Sequence, residues 1–444
     1  MGRTEVQYAW NDEVALAYQV VGEGTVDLLY LQSNISNVEV NWENPALASF
    51  LTELAGLGGL AVADRRGLGC SERFTPEGAP PIETLIDDVL AVTEAVGCER
   101  IALVATGDCG FFACTLAASH PDRLAALVLI NAAPTWQRSD ETPWARTEAE
   151  MERSFRWCQQ NWGSGAWSRR ANPSVNSDRD LRWFGRYERL AQSPGALYAE
   201  ARRFADTDVR AVLPAVQVPT LVLHRSDNTE ERVEAGRYLG AHIPAARFVE
   251  LDGADHFPWL GDADAVIRET QGFLRTVHAE EQDLDRVLAT ILFTDIVAST
   301  EKAVELGDRG WRELVDRHDT TVRALLSRYR GQEVNTTGDG FFATFDGPAR
   351  AVRCAQVLAD AVRPLGIAVR AGVHTGEIEL SGHTISGIAV NIGARIGARA
   401  GPSEVLVSQT VKDLVAGSGL AFHDRGLHEL KGVPDQWRLF AVAA

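Results

Sequence analysis

From Thr25 to about Ala133, short apolar runs alternate with stretches of helical spacing. Val26–Leu31, Leu60–Ala63, Arg100–Ala105 and Leu124–Asn131 read as strands, and Ser49–Leu57 and Ile82–Val96 as helices. Such alternation predicts a parallel sheet with helices on both faces. From Pro134 to about Leu213 the pattern turns polar and helical and holds six of the eleven tryptophans, which predicts a helical insertion. Strand-like runs return at Pro219–His224 and Arg247–Leu251, and a helical stretch over 263–277 closes this unit.

The acidic run His278–Asp283 has no apolar period and reads as a linker or linker helix. Beyond it the order is strand (286–297), helices (299–329), hairpin (333–345), helix (348–362), strand (368–377), helix (387–400), strand, helix and a last hairpin ending near Val442. This predicts an α+β unit of β-α-β-β-α-β character.

A chain of 444 residues is too long for one ordinary core. Its 45% hydrophobic and 23% charged residues are those of a globular protein. The net charge of −18 argues against a general nucleic-acid or anionic-membrane partner. The six scattered cysteines lack metal-site spacing and read as reduced thiols. With no secretory-type start and no transmembrane-length apolar run, the expectation is a cytoplasmic location.

Two acidic positions stand out in the second unit. Asp295 interrupts the apolar strand Ile291-Leu292-Phe293-Thr294-Asp295-Ile296-Val297, where a carboxylate is costly unless paired or on a metal. Ser299 and Thr300 follow as expected helix caps. The N–H groups of that first turn could face an anion such as a triphosphate. Asp339 lies in Thr337-Gly338-Asp339-Gly340, which reads alone as a hairpin turn. On neighbouring strands the two carboxylates could meet, and hard oxygen donors suit Mg²⁺ or Mn²⁺. Asn391 and Arg395 share one face of a helix at i, i+4. Arg395 could fork onto phosphate oxygens and Asn391 could hold a ribose oxygen, or both could line a solvated face. Lys431, before Gly432, is either a charge on the phosphates or a solvated turn residue.

The blocks LFTDIVAST, NTTGDGFFATF, GIAVNIGARI and HELKGVPDQWRLFAV together resemble the catalytic domain of class III adenylate and guanylate cyclases. The resemblance implies a ferredoxin-like fold over 287–444, after a linker at 278–286. It also implies that Asp295 and Asp339, with the Ile296 carbonyl, hold two divalent cations. Asn391 would orient the ribose, Arg395 would stabilise the phosphate in the transition state, and Lys431 would bind the triphosphate. The family takes its aspartates and its Asn/Arg pair from opposite subunits, which implies a homodimer converting ATP to cyclic AMP. The purine-selecting pair falls on Asn335 and Thr384. Adenylate cyclases usually have lysine at the first position, so an amide there implies looser preference for ATP.

Residues 1–277 resemble the α/β-hydrolase family through ADRRGLGCSER, the segment RIALVATGDCGFFACTLAASHPDR, PTLVLHRSDN and ELDGADHFPWLGD. The helical segment at about 134–213 stands where that family keeps its cap. Serine hydrolases need G-x-S-x-G, then an acid and a histidine. By position Asp227 is the acid and His256 the base. The nucleophile slot falls on Gly107, with Asp108 one residue off and Cys109 two. Gln32-Ser33-Asn34 stands where an oxyanion-hole His-Gly pair is usual. The expected role is therefore a regulatory or ligand-binding unit without hydrolysis, with His256 bonded to Asp227. The alternatives are an esterase carrying a nucleotide-sensing domain, and a binding protein inactive at both centres.

Overall fold

The computed structural model describes residues 2–74, 79–284, 286–336, 338–381 and 384–443. The chain divides into two compact units, Met1–His278 and Ala279–Ala444.

The first unit opens with β1 (Gln7–Asn11), β2 (Val14–Val21), β3 (Val26–Leu31), α1 (Pro45–Leu54), β4 (Gly59–Ala63) and α2 (Ile82–Ala95). Next come β5 (Ile101–Thr106), α3 (Cys109–Ser119) and β6 (Leu124–Ile130). The helical insertion comprises α4 (Glu148–Asn161), α5 (Ala166–Ala171), α6 (Asp178–Ala191) and α7 (Pro194–Ala205). The sheet then resumes with β7 (Thr220–Arg225), α8 (Val233–His242), β8 (Arg247–Leu251) and α9 (Ala263–Leu284). The strand order is β1-β2-β4-β3-β5-β6-β7-β8. The sheet is mixed rather than wholly parallel, because β1 and β2 pair antiparallel with each other and β2 antiparallel with β4. Every residue of β5 is buried, as a strand covered on both faces requires. α3 is apolar nearly all round (Phe111, Phe112, Ala113, Cys114, Leu116), so it carries no amphipathic period. In the insertion, Thr147 and Glu150 form a reciprocal cap on α4, and the Ser193 hydroxyl accepts the Ala196 N–H at the start of α7. The acidic run expected to be a linker lies on α9, one helix through Leu284.

The second unit runs β9 (Arg286–Ile296), α10 (Ser299–Tyr329), β10 (Gly331–Thr336), β11 (Gly340–Phe345), α11 (Pro348–Ala361), β12 (Val369–Ser381) and β13 (Thr384–Ser386). It continues with α12 (Ile388–Arg399), β14 (Val405–Ser408), α13 (Gln409–Leu414), β15 (Phe422–Glu429) and β16 (Gln436–Val442). The sheet order is β10-β11-β9-β12-β14-β16-β15, with β13 on β12. β9 obeys the two-residue period. Leu292 and Ile296 pack into the core containing Val322 and Leu326 of α10 and Val352 and Leu358 of α11. Ile291 faces the other way, onto Ala389 of α12. α12 rides almost on the backbone of β12: a Cβ on Gly372 would lie 2.1 Å from the Gly397 nitrogen. α10 begins differently from expectation. Ala298, in the left-handed region at φ 56°, holds the cap position and no side chain caps the helix.

Candidate functional sites in the two units

In the second unit, β11 pairs antiparallel with β9, and Gly340 lies directly opposite Asp295. The Ile296 N–H donates to the Asp339 carbonyl at 3.3 Å. Asp295 and Asp339 therefore sit one step apart across a strand pair, both half-buried at its end. Arg370 of β12 faces Asp295 from the other side, in register, and its Nε donates to Asp295 Oδ2 at 2.9 Å. Its Nη1 reaches the Ala398 carbonyl near the end of α12 at 3.4 Å.

The residues fit a pair of hard divalent cations in donor type. Both carboxylates are half-exposed, and the bonds of Arg370 engage only Oδ2 of Asp295. Among the described residues no cluster of three or more His, Cys, Asp or Glu side chains forms a closed metal cage. Two carboxylates without a third suit an ion that keeps waters and takes phosphate oxygens from a substrate. Beside Asp339 an open cleft of about 540 Å³ is lined by Gly338 and by Ser299, Thr300, Asp308, Trp311 and Arg312 of α10.

Asn391 and Arg395 are exposed on α12, whereas Ile392, Gly393, Ile396 and Gly397 face the sheet. Neither has a hydrogen bond or ion pair among the described residues. Lys431 is exposed in the turn between β15 and β16. Asn335 is exposed on β10, and its Oδ1 accepts the Thr336 N–H at 2.8 Å, which leaves the amide NH₂ outward. The side chain of Thr384 lies outside the described residues.

In the first unit, Gly107 makes the turn from β5 into α3 at φ 54°. A Cβ there would lie 3.0 Å from His256 Nε2 and 2.8 Å from Ser33 Oγ. The histidine thus points at the slot a nucleophile would fill, and the slot holds no side chain. Asp108 points elsewhere. Its Oδ2 pairs with buried Arg65 at 3.1 Å, and Arg65 also pairs with Glu200 at 3.1 Å. The Cys109 thiol is buried and donates to the Gln32 carbonyl at 3.0 Å, and burial pushes its pKa up, so it is no nucleophile.

Asp227 does not partner His256. It is exposed, in the turn after β7, and among the described residues accepts only from the Ser226 hydroxyl, at 3.3 Å. The next residue, Asn228, turns inward, and its Nδ2 lies 3.4 Å from His256 Nδ1. Its Oδ1 is occupied by the N–H groups of Glu230 and Glu231, at 3.0 and 3.1 Å. Burial lowers the His256 pKa and raises that of Glu231 to about 8.

Sequence reasoning passed over Arg370 and Asn228. Arg370 stands in a strand that also carries Glu377 and Glu379, so its charge gives no signal alone; the register with Asp295 singles it out. Asn228 carried none, since it differs from Asp227 only in which way one turn faces.

Comparison with known proteins agrees with this division. Residues 59–263 match the family model for the alpha/beta hydrolase fold, and residues 280–443 match that for the adenylate and guanylate cyclase catalytic domain. The chain is 31% identical over 163 residues to "Putative adenylate cyclase 3" of Rhizobium meliloti, covering 34% of this chain but only 28% of that protein. The chain is also 24% identical over 183 residues to strigolactone esterase D14 of Arabidopsis thaliana, covering 40% of this chain and 67% of that one. A solved bromoperoxidase from Bacillus anthracis covers 61% of this chain and 100% of its own, with 19% identity and a TM-score of 0.52, a likeness of fold alone. The architecture is thus an N-terminal α/β-hydrolase fold followed by a C-terminal cyclase domain.

Proposed function

We propose that this cyclase domain converts ATP to 3′,5′-cyclic AMP and pyrophosphate at a site shared between two copies of the chain. The observation that carries the reading is the strand register that brings Asp295 beside Asp339, together with the unpartnered Asn391 and Arg395 on the outer face of α12. Asp295, Asp339 and the Ile296 carbonyl would hold two Mg²⁺ or Mn²⁺ ions. The chemistry such ions supply is activation of an attacking hydroxyl and neutralisation of the leaving phosphate.

In the reaction the ribose 3′-oxygen bonds to the α-phosphorus, its proton passes to solvent, and the bond to pyrophosphate breaks. Asn391 of a second copy orients the ribose, and Arg395 forks onto the oxygens where charge builds. Lys431 holds the triphosphate as a point charge. Asn335, with Thr384, meets the base through an outward amide, a donor that either purine can accept, so ATP preference is loose. A shared site agrees with the surface of this unit, where Val287, Leu288, Val304, Leu306, Ile388, Leu414 and Leu427 are large apolar residues left exposed.

The first unit serves as a regulatory domain without hydrolysis. The rival reading, an esterase with a nucleotide-sensing domain, meets an empty nucleophile slot at Gly107 and an acid, Asp227, that faces solvent. Among the described residues no helix is long and apolar enough to cross a membrane. The test is product identification after incubating purified chain with ATP or GTP and Mg²⁺ or Mn²⁺. Cyclic AMP, lost in Asp295→Ala and Asp339→Ala, is the expected result; nucleotide bound but unconverted under all four conditions contradicts it.

A further inference from the structure

In the first unit a cavity of about 70 Å³ lies over the empty slot at Gly107. Trp136, Phe155, Trp167, Leu197 and Phe204 form apolar walls, and His256, Asp108 and Ser33 also line it. Two of its polar atoms lack hydrogen-bond partners among the described residues. Asp108 is 4% exposed and its Oδ1 accepts nothing, because Arg65 engages only the other oxygen. His256 is 5% exposed, and its Nε2 has no hydrogen bond among the described residues.

The hydrogen-bond pattern sets what His256 offers. Asn228 Oδ1 is taken by two backbone N–H groups, so the group facing Nδ1 is the amide NH₂, a donor. Nδ1 must accept, and in the neutral ring the hydrogen then resides on Nε2. A catalytic base needs the opposite tautomer, imposed by a carboxylate on Nδ1. The replacement of the acid by an amide has therefore turned Nε2 from a proton acceptor into a hydrogen-bond donor aimed at the cavity.

Charge narrows the ligand further. The lining carries four carboxyl groups, Asp108, Glu200, Glu230 and Glu231, against the guanidinium of Arg146. Most are already satisfied: Arg65 pairs with Asp108 and Glu200, Arg170 pairs with Glu230 at 3.1 Å, and the Trp136 indole donates to Glu231 at 2.5 Å. Asp108, Glu200 and Glu230 are thus matched by Arg65, Arg146 and Arg170, and Glu231 keeps its proton up to about pH 8, so neither an anion nor a cation finds a net countercharge here.

We propose that this cavity is a receptor site for a compact, uncharged molecule whose carbonyl accepts from His256 Nε2–H and whose own N–H or O–H donates to Asp108 Oδ1, and that the molecule is bound without being cleaved. The claim does not depend on the cyclase reading, since it concerns the first unit alone.

Fluorine NMR with the full chain tests it, using 4-fluorobenzamide as probe, 4-fluorotoluene as the apolar control and 4-fluorobenzoate as the charged one. The benzamide is expected to bind saturably at least about tenfold tighter than the toluene, one hydrogen bond's worth or more, and the benzoate not at all. In His256→Phe the preference for the amide over the toluene should fall by about tenfold, the Asp108 bond alone remaining. In Ala201→Trp, which fills the cavity from α7, all binding should vanish while the melting curve keeps its midpoint. Phenyl acetate should release no phenol above the buffer rate. Absent or unselective binding, a preference undiminished in His256→Phe, or phenol release that His256→Phe abolishes would each overturn the proposal.

Discussion

Arg370 stands in register with Asp295 across β9 and β12, and its Nε donates to that carboxylate at 2.9 Å. A guanidinium so placed lowers the negative charge where cations would be held and adds positive charge where a triphosphate would lie. Arg370→Met should therefore lower the Mn²⁺ concentration needed for half-maximal cyclase rate by about threefold and raise the KM for ATP by about tenfold, roughly one charge-assisted bond. Steady-state titrations of metal and of ATP read the two effects separately. Movement of both in the same direction would make Arg370 a fold residue only.

In the proposed site Asn335 meets the base, and its Oδ1 is already bonded to the Thr336 N–H. A lysine there is a donor only, with a full charge, and suits the acceptor nitrogens of adenine. Asn335→Lys should raise the ratio of ATP to GTP turnover by about threefold or more. Competition assays with both nucleotides check it, and an unchanged ratio would remove Asn335 from the base site.

Burial raises the Glu231 pKa to about 8 from an ordinary 4.5. The folded chain thus keeps a proton that the unfolded chain releases. The stability tied to that proton is full below about pH 4.5 and is lost as the pH rises towards 8. Glu231→Gln keeps an oxygen for the Trp136 indole and removes the ionisation. Relative to wild type it should gain about 2–4 kcal/mol between pH 5 and pH 8.5. Calorimetric melting of the first unit across that range measures it, and parallel pH profiles would contradict it.

The geometry around Gly107 predicts what restores hydrolysis. Gly107→Ser supplies a hydroxyl within reach of His256 but leaves the wrong tautomer, so it alone should not turn over phenyl acetate. Gly107→Ser with Asn228→Asp places a carboxylate on Nδ1 and frees Nε2 as a base. The double variant should exceed either single one by about tenfold or more. Equal rates in the single and double variants would show that Asn228 does not set the ring.

Much of this was legible in the chain because it follows from period and local chemistry. The apolar run around Asp295 gave the strand, the Gly338-Asp339-Gly340 turn gave its neighbour, and the i, i+4 spacing gave one face to Asn391 and Arg395. The empty slot at Gly107 was legible by counting along the hydrolase-like segment. Antiparallel β1 and β2 were missed because their apolar runs are short and interrupted by Asp12-Glu13. α3 was missed because a helix buried on all sides has no amphipathic stripe. The partner of His256 was misread because Asp227 and Asn228 are adjacent in a turn, and only tertiary packing decides which faces inward. Arg370 acquires meaning only through cross-strand register, which composition does not encode.

The central claim is that the Asp295–Asp339 pair of one chain and the Asn391–Arg395 face of another complete a site between two chains. Mixing Asp295→Ala with Arg395→Ala protein, each inactive alone, tests it most directly. Random exchange makes half the dimers mixed, each with one intact site of two, so cyclic AMP formation should recover to about a quarter of the wild-type rate. A mixture as inactive as its components, under conditions where subunits are shown to exchange, would contradict the account.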